Sequence, residues 1–196
     1  MMRASRTFAW SAMLVLLPAV ALAQASEEVV LTSTTANSQG RIAVNVASGN
    51  GNQQASSAVI AVGTTGIGSN GVDQHSSSRN SLTGPTHAEI QAGALSGLQG
   101  MISINVAAGN DNQEANLAVV ALALGGSALT NTMLSQTRAE APQKVGQDAP
   151  SRGADSAMLS PDALTGSHGL IQINLVAGER NSSANTFALN VSGGGN

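Results

Sequence analysis

Residues able to do chemistry are few in this chain of 196, and they are scattered. The three histidines are His75, His87 and His168. His87-Ala88-Glu89 offers an imidazole and a carboxylate two residues apart, but nothing near them completes a zinc shell. Asp111 and Glu114 sit beside a turn as calcium ligands do, without the glycine–aspartate nonapeptide of calcium-binding β-rolls. Serines are abundant, yet no Gly-x-Ser-x-Gly elbow occurs. With no Cys, a disulfide framework, a thiolate metal site and a cysteine nucleophile are all excluded. A formal charge of −3 with dispersed Lys and Arg gives no basic face for nucleic acid. The expectation is no catalysis, no metal and no cofactor.

The group that does recur is the carboxamide, on 16 Asn and 12 Gln. Many of these fall in three copies of one unit, at residues 40–62, 100–122 and 169–191, which align without a gap. Six of the 23 columns are identical in all three. They are Gly40/Gly100/Gly169, Ile42/Ile102/Ile171, Asn45/Asn105/Asn174, Gly49/Gly109/Gly178, Asn52/Asn112/Asn181 and Ala55/Ala115/Ala184. Stacked Asn side chains can hydrogen-bond from one copy to the next, which is chemistry of assembly, not of turnover.

Each copy has the grammar of strand, turn, strand. Ile42, Val44 and Val46 alternate with smaller or polar residues, the period of 2 of a strand with one apolar face. The same places hold Ile102, Ile104 and Val106, then Ile171, Ile173 and Leu175. Ser48 to Asn52 is rich in Gly and Asn, which tolerate positive φ, so the chain turns there. A second run follows, with Ala58, Ile60 and Val62 on one face. Ala118, Val120 and Leu122, then Phe187, Leu189 and Val191, take those columns in the other copies. The two apolar faces are expected to close against each other. A turn of five residues also permits a hairpin, but a lone hairpin is marginal in water. Stacking would bury the apolar columns and repeat the Asn columns as ladders. No column of the repeats pairs like charges: Arg41 lies over Met101 and Leu170, Gly51 over Asp111 and Arg180, Gln54 over Glu114 and Ser183.

Composition agrees with thin layers. Aromatics are 2% and charged residues 10%, against a usual charged share of about 25%. After the first ten residues the only aromatic is Phe187. The fold class expected is all-β, stacked strand–turn–strand repeats of β-solenoid or cross-β type with irregular linkers. Residues 1–23 read as a signal peptide, with Arg3 and Arg6, an apolar run from Ala12 to Leu22, and a small-x-small site at Ala21-Leu22-Ala23. Residues 24–39 form an N-terminal segment, 63–99 and 123–168 the two linkers, and 192–196 a tail. Both linkers, rich in Gly, Ser, Pro and scattered charge, are expected to be mobile loops projecting from the β core. Short helical stretches near Thr86–Leu98 and Leu129–Ala141 are the alternative.

With these repeats laid out, the chain resembles the Fap-type functional amyloid subunits of bacterial biofilms. Members carry a secretion signal and three imperfect repeats parted by two variable linkers, with a motif close to Gly-Val-Asn-x-Ala-Ala-Gly. The matching stretches are Val44-Asn45-Val46-Ala47-Ser48-Gly49, Ile104-Asn105-Val106-Ala107-Ala108-Gly109 and Ile173-Asn174-Leu175-Val176-Ala177-Gly178. Asn52-Gln53-Gln54-Ala55-Ser56, Asn112-Gln113-Glu114-Ala115-Asn116 and Asn181-Ser182-Ser183-Ala184-Asn185 carry the downstream signature. The chain departs in lacking the Cys-containing motif with which some members end. Its small size is similar to that of the minor, nucleating subunit. Curli-type subunits are the nearest rival, but their repeats run contiguously.

The resemblance implies a secreted subunit that polymerises with itself and with a related major fibre subunit, reaching the cell surface through the periplasm and an outer-membrane pore. The expected assembly core is the set Ile42, Val44, Asn45, Val46, Gly49 and Asn52 with its counterparts in the other copies. These are Ile102, Ile104, Asn105, Val106, Gly109 and Asn112, then Ile171, Ile173, Asn174, Leu175, Gly178 and Asn181. The alternative is a monomeric secreted β-solenoid that acts as an adhesin or binding module.

Overall fold

The computed structural model describes residues 26–32, 37–77, 84–138, 140 and 153–193. The signal expected at residues 1–23 lies outside them. Eleven strands are present in the described residues: β1 (Glu27–Leu31), β2 (Gln39–Ser48), β3 (Gln53–Gly63), β4 (Gly66–His75), β5 (Thr86–Ile90), β6 (Gln99–Ala108), β7 (Gln113–Ala123), β8 (Ala128–Thr137), β9 (Ser156–Leu159), β10 (His168–Ala177) and β11 (Ser182–Ser192). All pairing is parallel. The first sheet is β1-β5-β9, the second β2-β6-β10, the third β3-β7-β11, and the fourth β4-β8. The chain therefore coils through three layers: β1 to β4, β5 to β8, and β9 to β11.

Register follows the sequence repeat. Asn45 pairs with Asn105 and Asn105 with Asn174 in the second sheet, and Ala55, Ala115 and Ala184 align in the third. Because β2 pairs with β6 and not with β3, each strand–turn–strand unit is an arch and not a hairpin. Its two strands meet through side chains. The corner needs positive φ twice, at Gly49 (98°) and Gly51 (69°), and layer 2 repeats it at Gly109 (119°) and Asp111 (57°).

The apolar core lies between the first and second sheets. Ile102, Ile104 and Val106 are wholly buried there against Ala88, Ile90, Leu95 and Leu98, with Ile42, Val44, Val46, Ile171, Ile173 and Leu175 packed around them. This corrects the expected closure of one arch strand's apolar face on the other's. The second sheet turns its Asn face, not its apolar face, toward the third. The columns read as apolar on β3 and β11 end outside, with Ile60 64%, Val62 62%, Leu189 42% and Val191 42% exposed.

The linkers also differ from expectation. The first holds β4 and β5 and the second holds β8 and β9, so neither is simply a projecting loop. The helical alternative fails as well, since Thr86–Ile90 and Ala128–Thr137 are strands. The physical reason is that these strands need little apolar surface of their own. Inward-facing Gly66, Gly68, Asn70 and Gln74 lie against the third sheet, where Asn70 Nδ2 donates to Ser57 O and Ala118 O, and Gln74 Nε2 to Gln53 O and Glu114 O.

Candidate assembly interface

Three amide columns tie the layers together. In the second sheet Asn174 Nδ2 donates to Asn105 Oδ1, and Asn105 Nδ2 to Asn45 Oδ1, each at 2.9 Å. The facing column of the third sheet, Ser56/Asn116/Asn185, interlocks with it: Asn185 Nδ2 donates to Asn116 Oδ1 at 2.9 Å, Asn116 Nδ2 to Asn105 Oδ1 at 2.9 Å, and Ser56 Oγ to Asn45 Oδ1 at 3.0 Å. At the corner Asn112 N donates to Asn52 Oδ1 and Asn181 N to Asn112 Oδ1, both at 3.0 Å. The side-chain amides of layers 1 and 2 run the other way, Asn52 Nδ2 to Gly109 O at 2.7 Å and Asn112 Nδ2 to Gly178 O at 3.0 Å, while Asn181 Nδ2 in layer 3 turns back to Asn112 Oδ1 at 3.0 Å. Buried amides of this kind are stable only when their hydrogen bonds are made, and stacking makes them.

All eighteen residues singled out from the sequence fall into these three layers: nine on the apolar face of the second sheet, three in its Asn column, and six at the corner. Layer 2 is closed on both sides, and residues 102–119 are buried without exception. Layers 1 and 3 each leave one side of their strands unpaired among the described residues. Their residues show it: Asn45 is exposed where Asn105 is wholly buried.

Sequence reasoning missed two parts of this arrangement. Turns at 91–98 and 160–167 stack by Leu95 N to Ala163 O at 2.9 Å and Gly97 N to Thr165 O at 3.0 Å, and they seal one end of the apolar core. Their signal was present, since Ala94-Leu95-Ser96-Gly97 matches Ala163-Leu164-Thr165-Gly166 at the same offset as the neighbouring repeats. The second is Glu114, wholly buried in layer 2 beside the uncharged Gln54. Gln54 Nε2 donates to its Oε2 at 2.9 Å while Oε1 has no partner. Burial pushes this carboxyl up to about 8, and the Gln54 hydrogen bond offsets only part of that.

Two further polar clusters lie among the described residues. His87 Nδ1 lies 2.6 Å from Ser156 Oγ on the neighbouring strand and Nε2 lies 3.3 Å from Glu89 Oε2 on its own, a row on the outward side of the first sheet. Asp111 is buried, with Ser76 Oγ donating to its Oδ1 at 3.2 Å. Among the described residues no group of three His, Asp or Glu is placed to hold a metal ion.

A model of the functional amyloid protein FapB/FapC family matches residues 17–192, nearly the whole chain. The chain belongs to that family. As a FapB/FapC family member it is a functional amyloid subunit, a structural protein whose repeats are the stacked layers described above. No solved structure matches it.

Proposed function

We propose that the chain is exported and self-assembles into extracellular cross-β fibres of the biofilm matrix, acting there as the minor, nucleating subunit. The observation that carries this reading is the pair of open layer faces. The strands of layers 1 and 3 each expose a row of backbone donors and acceptors in the register that joins layers inside the chain. Such edges are templates for further strands, and a protein that stays monomeric covers or charges them. The assembly core would be the eighteen residues above, and the partners a further copy and a related major subunit, after passage through an outer-membrane pore.

Purified mature chain should form fibres with a meridional reflection near 4.8 Å. A protein that stays monomeric at high concentration would favour the adhesin reading instead. The nucleating role has its own check: traces of preassembled chain should shorten the lag of the major subunit, and an unchanged lag would remove that role.

A further inference from the structure

Two glycine columns run through the layers, Gly40/Gly100/Gly169 at the start of the second sheet's strands and Gly49/Gly109/Gly178 at the corner. In four of the six a Cβ would overlap backbone of the adjacent layer: Gly100 against Gly40, Gly169 against Gly100, Gly49 against Gly109, and Gly109 against Gly178. The other two are the end members. A Cβ on Gly40 would meet nothing within 4 Å, and the atoms nearest to one on Gly178 all belong to side chains, Asp155 Oδ2 at 3.2 Å, Asn181 Nδ2 at 3.4 Å and Asp155 Cγ at 3.7 Å. By the sense of each column, these two would point off the layer-1 face and off the layer-3 face. Inside one chain the first space is empty, and the second is bordered by the Asp155 carboxylate and the Asn181 amide, with no backbone among the nearest atoms. A layer 1 set on a layer 3 would fill both, with Gly40 against Gly169 and Gly178 against Gly49.

The amide columns make the same demand independently. Continuing them past the ends has Asn45 Nδ2 donate to Asn174 Oδ1 of the adjoining copy, Asn52 N to Asn181 Oδ1, and Asn181 Nδ2, which in the single chain turns back to Asn112 Oδ1 and Ala177 O, swing out to Gly49 O. Two layer-1 faces brought together would set donor against donor. The junction also keeps Arg41 on Leu170, Gly51 on Arg180 and Gln54 on Ser183. One column is unfavourable, Glu27 on Asp155, and it is open to screening by salt.

Resting on the assembly reading above, we propose that copies join only by layer 1 of one on layer 3 of the next, the internal layer interface continued between chains. A stack then has two chemically different ends, and a chain spoiled on one face blocks one end alone. Asn45→Asp spoils the layer-1 face without backbone strain: inside the chain it still accepts from Asn105 Nδ2 and Ser56 Oγ, but it has no hydrogen for Asn174. Gly40→Ala adds the Cβ that the junction excludes, and Gly178→Val does so on the opposite face. Gly93→Ala, at φ 70° with open space around it, controls for positive-φ strain.

Immobilised parent seeds would be grown with labelled parent chains plus one-tenth of each variant, and both ends followed by fluorescence microscopy. Asn45→Asp and Gly40→Ala should slow the same end at least about tenfold and spare the other. Gly178→Val should slow the opposite end, and Gly93→Ala neither. Equal slowing of both ends by single variants, or no slowing by any of them, would overturn the proposal. Failure of parent chains to extend parent seeds would remove the assembly reading itself, and this inference with it.

Discussion

Glu114 holds a carboxyl where the surrounding column, Gln54 and Ser183, carries no charge, and no ion pair reaches it among the described residues. Folded, it keeps its proton up to about 8; unfolded, it releases it near 4.5. Between those values the folded chain binds more protons than the unfolded one, so stability falls as pH rises and levels off above about 8. The urea midpoint of the parent should therefore drop between pH 5 and 8. Glu114→Gln should stay flat and exceed the parent at pH 8; a midpoint that drops equally in both would assign the pH response elsewhere. The sequence placed Glu114 beside a turn, as calcium ligands are placed but without their nonapeptide, and gave no sign of its burial. What it did not display is that the third sheet is covered on both faces, which turns a turn-proximal carboxylate into a wholly buried acid.

At the scale of elements, the strand–turn–strand units were legible because apolar residues at period 2 and the invariant Asn and Gly columns mark them directly. Strand β4 carries no such signal. Of its inward residues only Val72 is apolar, Gly66, Gly68, Asn70 and Gln74 are small or polar, and the apolar Ile67 points outward at 67% exposure. Hydrophobic periodicity cannot find a strand that is held by amide hydrogen bonds to its neighbours. The consequence is testable. Deleting residues 126–160 removes β8 and β9 and uncovers Leu117 and Val119, so the variant should fail to assemble even with seeds. A deletion confined to 141–151 leaves every described strand intact and should assemble with only its rate altered. Thioflavin fluorescence and pelleting of both at equal concentration decide between them.

For the whole molecule, the difference between layers is a difference in burial of equivalent residues. Val106 is wholly buried and Val46, its equivalent in layer 1, only partly. In the unassembled folded chain Val106→Ala should cost about 1–3 kcal/mol and Val46→Ala clearly less. In a fibre stacked as proposed every layer is an interior one, and the two costs should converge. Urea dissolution of fibres against unfolding of isolated chains measures both. A gap that persists in the fibre would mean that layer 1 remains an outer face there. Val106→Lys should stop elongation from parent seeds, since an ammonium unpaired in that core is costly, while Ser69→Lys, on the outward side of β4, should elongate as the parent does.

Among the described residues the fourth sheet has two strands where the other three have three. On the face of β11 turned toward it, Thr186, Ala188 and Asn190 stand in place of Leu117, Val119 and Ala121, and all three are exposed. Repeated along a fibre, this makes a notch on one flank in every third rung, a spacing of roughly 14 Å at about 4.8 Å per layer. The first three sheets then transmit tension as continuous ladders of hydrogen bonds, and the fourth is a row of separate tiles. Such a filament is an unevenly laminated beam. It should bend most easily in the plane of the notch, and its diffraction should carry an additional meridional order near 14 Å. Filling the notch by grafting a strand onto the end of β11 should stiffen the filament and weaken that order.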